Sequence, residues 1–142
     1  MSVLNGSITR EIKVSGGSLI TLSQPEEAPI QLIESLIDLF KQHKSVRQAF
    51  LVMAQDKRVD EKPNLLIGLE LSVVLADSEV NDLIQAAGER AYDYLDEGES
   101  VDFCLLDEKE GGISHYLIQH TQPFYQRKLG SWLRETIPVV NQ

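Results

Sequence analysis

The sequence has few of the residues on which metal sites and nucleophilic active sites are built. It contains one cysteine, Cys104, so an internal disulfide and a paired-cysteine metal motif are both excluded. The three histidines are His43, His115 and His120, and the five-residue spacing of the last two does not align them on one helical turn. The glycines of "VSGGSLI" are not followed by the Lys-Ser/Thr pair of a phosphate-binding loop. We therefore expect no cofactor and no metal.

Long apolar runs are also missing. No stretch approaches the roughly twenty apolar residues that span a bilayer. The first residues, "MSVLNGSITREIKVSGG", have no continuous apolar segment typical of a signal peptide. A lone cysteine is typical of a reducing compartment. These features predict a cytoplasmic protein, and 142 residues suit a single domain over 1–142 with its core at about 17–128.

Basic residues are scarce in the second half of the chain. Residues 72–142 hold 5 Lys+Arg and 13 Asp+Glu, a net charge of −8, whereas residues 1–71 hold 8 and 9, a net charge of −1. Within 77–110 the counts are 2 and 12, which gives −10. Such a surface repels nucleic acid and anionic membranes. The simpler interpretation of this charge is a well-solvated surface, and the sharper one is a docking face for a basic partner. On the second interpretation we expect another protein as the partner, bound through Asp93, Asp96, Glu97 and Glu99, and an oligomer is compatible with this composition.

Hydrophobic periodicity predicts an α+β domain. Alternating residues predict strands at about 18–23, 47–54, 65–72 and 100–106, and helical spacing predicts helices near 29–44 and 77–95. Gly98 is expected just past the second helix. The resulting βαββαβ order is the split βαβ pattern, a mostly antiparallel sheet with both helices on one face. A more open arrangement of the same elements is the alternative.

The apolar faces of these elements follow from the same periods. The first helix should bury Ile30, Ile33, Leu36, Ile37 and Phe40, and the second should bury Val80, Leu83, Ile84, Ala87 and Ala91. Asp77 and Ser78 are N-cap residue types. The segment 113–120 fits either a short helix capped by Ser114 or an edge strand, and residues 129–137 predict a last short helix packed through Trp132 and Leu133.

Two carboxylates interrupt apolar strands. Glu70 and Asp102 both fall on the face that the two helices leave uncovered, where a pair could perform acid–base chemistry. The simpler interpretation is that this face is wet and tolerates charge. Cys104 falls on the same face of the strand as Asp102, and we interpret it as a small buried hydrophobic residue rather than a nucleophile.

The stretch "QPFYQRK" is predicted to close the core. Pro123 has no N–H to give to a sheet, so regular pairing should stop there. Successive side chains of an extended chain alternate, so Phe124 should be buried and Tyr125 should lie flatter with its hydroxyl at water or on a backbone group. Arg127 and Lys128 are then expected beside the acidic second half.

The order of several segments resembles the C-terminal domain of the SseB family, the enhanced serine sensitivity proteins of bacteria. A Pro-x-x-x-Pro entry into the first helix is followed by "AFL", "LLIGLE", "VDF" and "PFY", and the resemblance covers roughly residues 17–128. We expect this sequence to lack the separate N-terminal domain of two-domain members. The resemblance brings no catalytic residues and implies a cytoplasmic bacterial interaction domain.

Three hypotheses follow. The first is a non-catalytic SseB-like protein-interaction module with Pro123, Phe124 and Tyr125 as a structural motif. The second is a small acidic chaperone of the secretion type, which would dimerise and expose an apolar groove. The third is an enzyme that uses Glu70 and Asp102.

Overall fold

A computed structural model describes residues 10–13, 19–107 and 112–127 of the chain. In these residues it contains six strands and three helices. Their order is β1 Arg10–Lys13, β2 Leu19–Ser23, α1 Ile30–Lys41, β3 Val46–Gln55, β4 Asn64–Leu71, α2 Asp77–Tyr92, β5 Val101–Leu105, α3 Gly112–His120 and β6 Tyr125–Gln126. Lys128 and the predicted helix at 129–137 lie outside the described residues.

The strands form one sheet in the order β1-β2-β3-β4-β5, with β6 paired to β3. Neighbours are antiparallel except β4 and β5, which are parallel and are joined through α2. The α+β class and the βαββαβ succession are therefore confirmed. Because β4 and β5 are direct neighbours and the strands follow chain order, the arrangement is the open alternative rather than the split βαβ pattern.

Helices α1 and α2 pack together on one face of the sheet, as predicted. The core there is formed by Leu32, Leu36, Leu39, Phe40, Val46, Ala49, Leu65, Ile67, Leu69, Leu83, Ala87, Ala91 and Tyr125. The buried face of α1 includes Leu36 and Phe40, as predicted, but it is rotated about the helix axis from the predicted face. Leu32 and Leu39 are buried, whereas Ile30, the first residue of the helix, is 57% exposed.

The start of α2 also differs from expectation. Ala76 occupies the cap position, so Asp77 and Ser78 lie in the first helical turn. The side chain of Glu79 accepts a hydrogen bond from the Ala76 N–H at 3.0 Å, which satisfies one of the donors left open at a helix start. Asp77 and Glu79 also place negative charge at the positive end of the helix dipole.

The opposite face of the sheet carries α3, so it is not uncovered. This second core contains Leu22, Phe50, Val52, Leu66, Leu106, Tyr116 and Leu117. Gly68 makes the close approach of α3 possible, since a Cβ there would lie 2.9 Å from methyl carbons of both Leu106 and Leu117. The segment 113–120 is therefore a helix, and the buried Ser114 hydroxyl accepts a hydrogen bond from the Asp107 N–H at 3.0 Å.

Among the residues that the structure describes, no helix combines the length and apolar character needed to cross a bilayer.

Candidate functional site

The four acidic residues predicted to bind a partner lie in the turn that follows α2. We call Asp93, Asp96, Glu97 and Glu99 the acidic patch; all four are exposed. The helix loosens here, because the Tyr94 N–H donates to the Ala91 carbonyl at 2.9 Å, three residues back. The patch therefore extends from a helix end into the connection that leads to β5.

Hydrogen bonds within the turn fix the backbone of the acidic patch. The Asp96 N–H donates to the Glu99 carboxylate at 2.7 Å, and the Glu99 N–H donates to the Asp96 carbonyl at 2.9 Å. Gly98 has a φ of +84°, a left-handed conformation that favours glycine. A Cβ at Gly98 would lie 3.6 Å from the Lys62 Nζ atom, so one cation stands beside the turn. The remaining carboxylate oxygens face water and can accept hydrogen bonds from Lys or Arg side chains of a partner.

Glu70 is occupied by its neighbours on β3. The Gln48 Nε2 donates to the Glu70 Oε1 at 2.6 Å, and the Arg47 Nε lies 4.0 Å from the same oxygen. The Glu70 side chain is only 14% exposed, so these groups supply much of its surroundings. The carboxylate therefore anchors the β3–β4 pair next to the bulge between residues 46 and 48.

Asp102 and Glu70 are not brought together. In the parallel register Asp102 stands opposite Leu66, four residues from Glu70 along β4, or about 13 Å at the usual rise of a strand. Between them the Leu117 side chain of α3 lies against Gly68. Asp102 is exposed. The geometry therefore gives the proposed acid–base pair no common site.

The burial of the two aromatic rings of "QPFYQRK" is the reverse of that predicted, although the Tyr125 hydroxyl does face a backbone group, the Phe40 carbonyl, at 3.5 Å. Tyr125 is 8% exposed and belongs to the core between the sheet and α1, whereas Phe124 is partly buried at the margin of that core. Both rings contact Phe40, with centroid separations of 5.8 Å for Tyr125 and 6.3 Å for Phe124. The alternation rule failed because Phe124 lies in a bend before the strand and not in extended backbone.

Pairing begins after Pro123 rather than ending there. The Phe124 N–H donates to the Ala49 carbonyl at 2.8 Å, and Tyr125 then pairs with Ala49 as β6. β2 uses the 53–55 end of β3, so β6 takes the part of that strand edge that β2 leaves open. The proline precedes the pairing and blocks none of it. The stretch therefore completes the sheet as well as the core.

The Arg127 side chain contacts the end of α1 and not the acidic residues of the second half of the chain. One of its terminal nitrogens donates to the Phe40 and Lys41 carbonyls at 3.1 Å each, and the same nitrogen is 3.4 Å from the His43 carbonyl. These carbonyls belong to the negative end of the helix dipole, which a cation stabilises. Sequence reasoning missed this role, although the absence of glycine at the end of α1 leaves its carbonyls in need of another donor.

Histidine and cysteine side chains gather around α3 without forming a metal site. The His115 and His120 rings contact each other with centroids 5.9 Å apart, so their five-residue spacing does not keep them apart as expected. Cys104 is partly buried and packs against the core beneath α3. Within residues 10–13, 19–107 and 112–127, no three His, Cys, Asp or Glu side chains are arranged to hold a metal ion.

The fold and its surface define a small α+β domain in which an acidic turn precedes the last strand of the parallel pair. Residues 14–127 match the family model described as the SseB protein C-terminal domain. Protein SseB of Escherichia coli (strain K12) and Protein SseB of Shigella flexneri are each 40% identical to this chain over 122 residues. The chain belongs to the SseB family.

The relatives extend beyond the part that they share with this chain. The matched region is 86% of this chain and 45% of each relative, so the chain spans less than half the length of the curated relatives it matches. No solved structure gives a significant match.

Proposed function

We propose that this SseB-family chain is a non-catalytic protein-interaction module of the bacterial cytoplasm. It binds a basic surface of another protein through the acidic patch. The observation that carries this proposal is the exposure of all four carboxylates of the patch on a turn whose backbone is fixed by its own hydrogen bonds. A turn whose backbone is already fixed loses little backbone freedom on binding, and its exposed charges attract a complementary surface over about a Debye length, roughly 8 Å at physiological salt.

The charge around the patch supports this proposal. Between residues 77 and 107 the chain has ten acidic residues and one basic residue, Arg90. Arg90 donates to the Ser35 carbonyl at 3.0 Å and contacts Asp38 at 3.1 Å, so its charge is directed toward α1. Lys62 beside Gly98 offsets only one of the patch charges, so the acidic patch keeps a net negative field that accelerates encounter with a basic protein.

The positions of Glu70 and Asp102 support the proposal that the domain is non-catalytic. Glu70 is bound by Gln48 and Asp102 lies on the other side of the Gly68–Leu117 contact. A general acid and a general base act on one substrate only when both can reach it within hydrogen-bond distance.

The test begins with capture of partners from a native bacterial lysate on the immobilised chain, at low and at high salt. The charge-reversal variant replaces Asp93, Asp96, Glu97 and Glu99 with lysine. A matched control changes four exposed acidic residues elsewhere, namely Glu34, Glu61, Asp82 and Glu89, in the same way. A true partner is lost with the first variant, retained by the second, and released by salt.

The kinetics of the identified pair decide the mechanism. Steering by exposed charge acts on the association rate, so the patch variant should associate more slowly while its dissociation rate changes less. Equal association rates for the wild type and the patch variant would remove the acidic patch from the mechanism.

An exposed apolar turn gives the chaperone hypothesis one observation in its favour. Val73 is 55% exposed and Val74 is fully exposed, beside a hollow of about 500 Å³ lined also by Leu75, Val80 and Leu105. An exposed apolar patch is typical of proteins that bind unfolded segments. Light scattering separates this candidate from the first, because a chaperone of this type is expected to be a dimer.

A further inference from the structure

A groove runs beside the acidic patch, between the β2–α1 connection and the turn after α2. It has a volume of about 600 Å³. Its floor consists of Leu32, Met53 and Leu65, which belong to the core beneath α1 and α2 or pack against it. Leu32 and Leu65 are only 1% and 7% exposed, so of these three residues Met53, which is partly buried, offers the most apolar surface.

The walls of the groove come from segments far apart in the sequence. Pro25, Ala28 and Pro29 form one side, and Pro63 and Tyr94 form the other. The prolines restrict their backbone dihedrals, so these walls are stiff. Tyr94 is 44% exposed, which leaves part of its surface available to a ligand.

The rim of the groove is acidic. Glu26 and Glu27 stand on the α1 side, and Asp96 and Glu99 of the acidic patch stand on the other. All four residues are exposed, and neither lysine nor arginine is among the lining residues, although the Lys62 Nζ atom lies beside the turn at Gly98. Within the described residues, no ion pair engages any of these carboxylates.

We propose that this groove binds an extended basic segment of the partner protein. An aliphatic side chain of that segment packs on Met53 between the proline walls, and flanking arginines or lysines reach the carboxylates on both rims. The proposal rests on the proposed function and adds the recognition chemistry: an apolar anchor between two positive charges.

Charge and shape both favour this occupant. Carboxylates on two opposite rims match cations spaced along one chain, whereas nucleic acid would bring phosphates to the same positions. A guanidinium can also stack on the exposed Tyr94 ring, which favours arginine over lysine at that rim. The apolar floor adds contact area that a purely charged surface would not provide.

The probe is a synthetic peptide that alternates arginine and leucine, titrated at low salt into the isotope-labelled full chain. Binding is followed by amide chemical shifts. We expect the largest shifts at the groove, from residues 23–28, 53, 65 and 94–99. A peptide with glutamate in place of arginine and one with serine in place of leucine should both shift these signals far less.

Two variants test whether the peptide binds in the groove. Ala28→Trp fills the groove from an exposed position, so it should abolish the shifts while the chain stays folded. The quadruple variant Glu26→Gln, Glu27→Gln, Asp96→Asn, Glu99→Gln should weaken binding about tenfold or more, since several exposed charge contacts are lost together. Neutralising Glu34, Glu61, Asp82 and Glu89 changes the net charge equally and should leave the affinity within about twofold.

The outcomes separate this inference from the proposed function. Partner capture that depends on Asp93 and Glu97 but survives Ala28→Trp and the loss of Glu26 and Glu27 would overturn the groove and leave the acidic patch in place. Failure of every acidic variant to affect capture would overturn both. Peptide shifts that lie outside the groove, or no shifts at millimolar peptide, also overturn the groove proposal.

Discussion

The burial of two neighbouring aromatics makes a quantitative prediction about Phe124 and Tyr125. Tyr125 is 8% exposed with its ring on Phe40, so Tyr125→Ala removes a nearly complete core side chain. Substitutions of this kind cost about 3–5 kcal/mol. Phe124 is only partly buried, so Phe124→Ala should cost about half as much, roughly 2 kcal/mol.

The hydroxyl of Tyr125 should contribute little to this difference. Its distance to the Phe40 carbonyl is 3.5 Å, at the outer limit of a hydrogen bond. Tyr125→Phe should therefore cost less than about 1 kcal/mol. The expected order of destabilisation is Tyr125→Ala, then Phe124→Ala, then Tyr125→Phe.

Urea unfolding followed by far-UV circular dichroism measures these differences. Tyr92→Ala is the control, since Tyr92 is 76% exposed and its loss should change the unfolding free energy by less than about 0.5 kcal/mol. Equal slopes of the unfolding transitions are required for the comparison. A Phe124→Ala variant less stable than Tyr125→Ala would refute the assignment of the two rings.

Three further predictions concern other parts of the domain. Gly68→Val should lower the free energy of unfolding in urea melts by about 1–3 kcal/mol, because the valine side chain would collide with Leu117 of α3. A variant as stable as the wild type, with α3 still in place, would contradict the close approach of α3 to Gly68. Cys104→Ala should cost about 1 kcal/mol, and native Cys104 should react slowly with alkylating reagents; rapid alkylation would show that α3 does not cover it. The Arg58 side chain donates a hydrogen bond to Asp56 and lowers the pKa of that carboxyl group. The stabilisation from the Asp56 carboxylate is therefore present above its ordinary pKa and is lost as pH falls through the lowered value. Arg58→Gln should raise the Asp56 pKa in an NMR titration, and an unchanged pKa would exclude the pair.

The elements of the core could be predicted because each has its own periodicity. The alternating residues Leu65, Ile67 and Leu69 and the helically spaced residues Leu83, Ala87 and Ala91 all lie in the core beneath α1 and α2. The first strand was missed because β1 is four residues long and three of them are charged. The strand β6 was missed because its two residues are held by β3 and not by any pattern of their own.

The acidic patch could be predicted from composition, since charge density is a local property of the sequence. The groove beside it could not, because Pro25, Met53, Pro63 and Tyr94 come from four segments that only the folded sheet brings together. The reversal of Phe124 and Tyr125 has a similar cause. Which ring is buried depends on where the chain bends to meet β3, and that bend is set by the free edge of the strand.

The arginine that links β6 to α1 has a consequence for how the domain opens. Arg127 donates through its backbone N–H to the Arg47 carbonyl at 2.8 Å and through its side chain to the end of α1. When β6 detaches, the last turn of α1 loses its cation in the same event, so the two regions form one cooperative unit. In native-state hydrogen exchange the amides of Phe124 and Arg127 should open with the same free energy, and Arg127→Ala should lower the protection of the last α1 amides together with theirs.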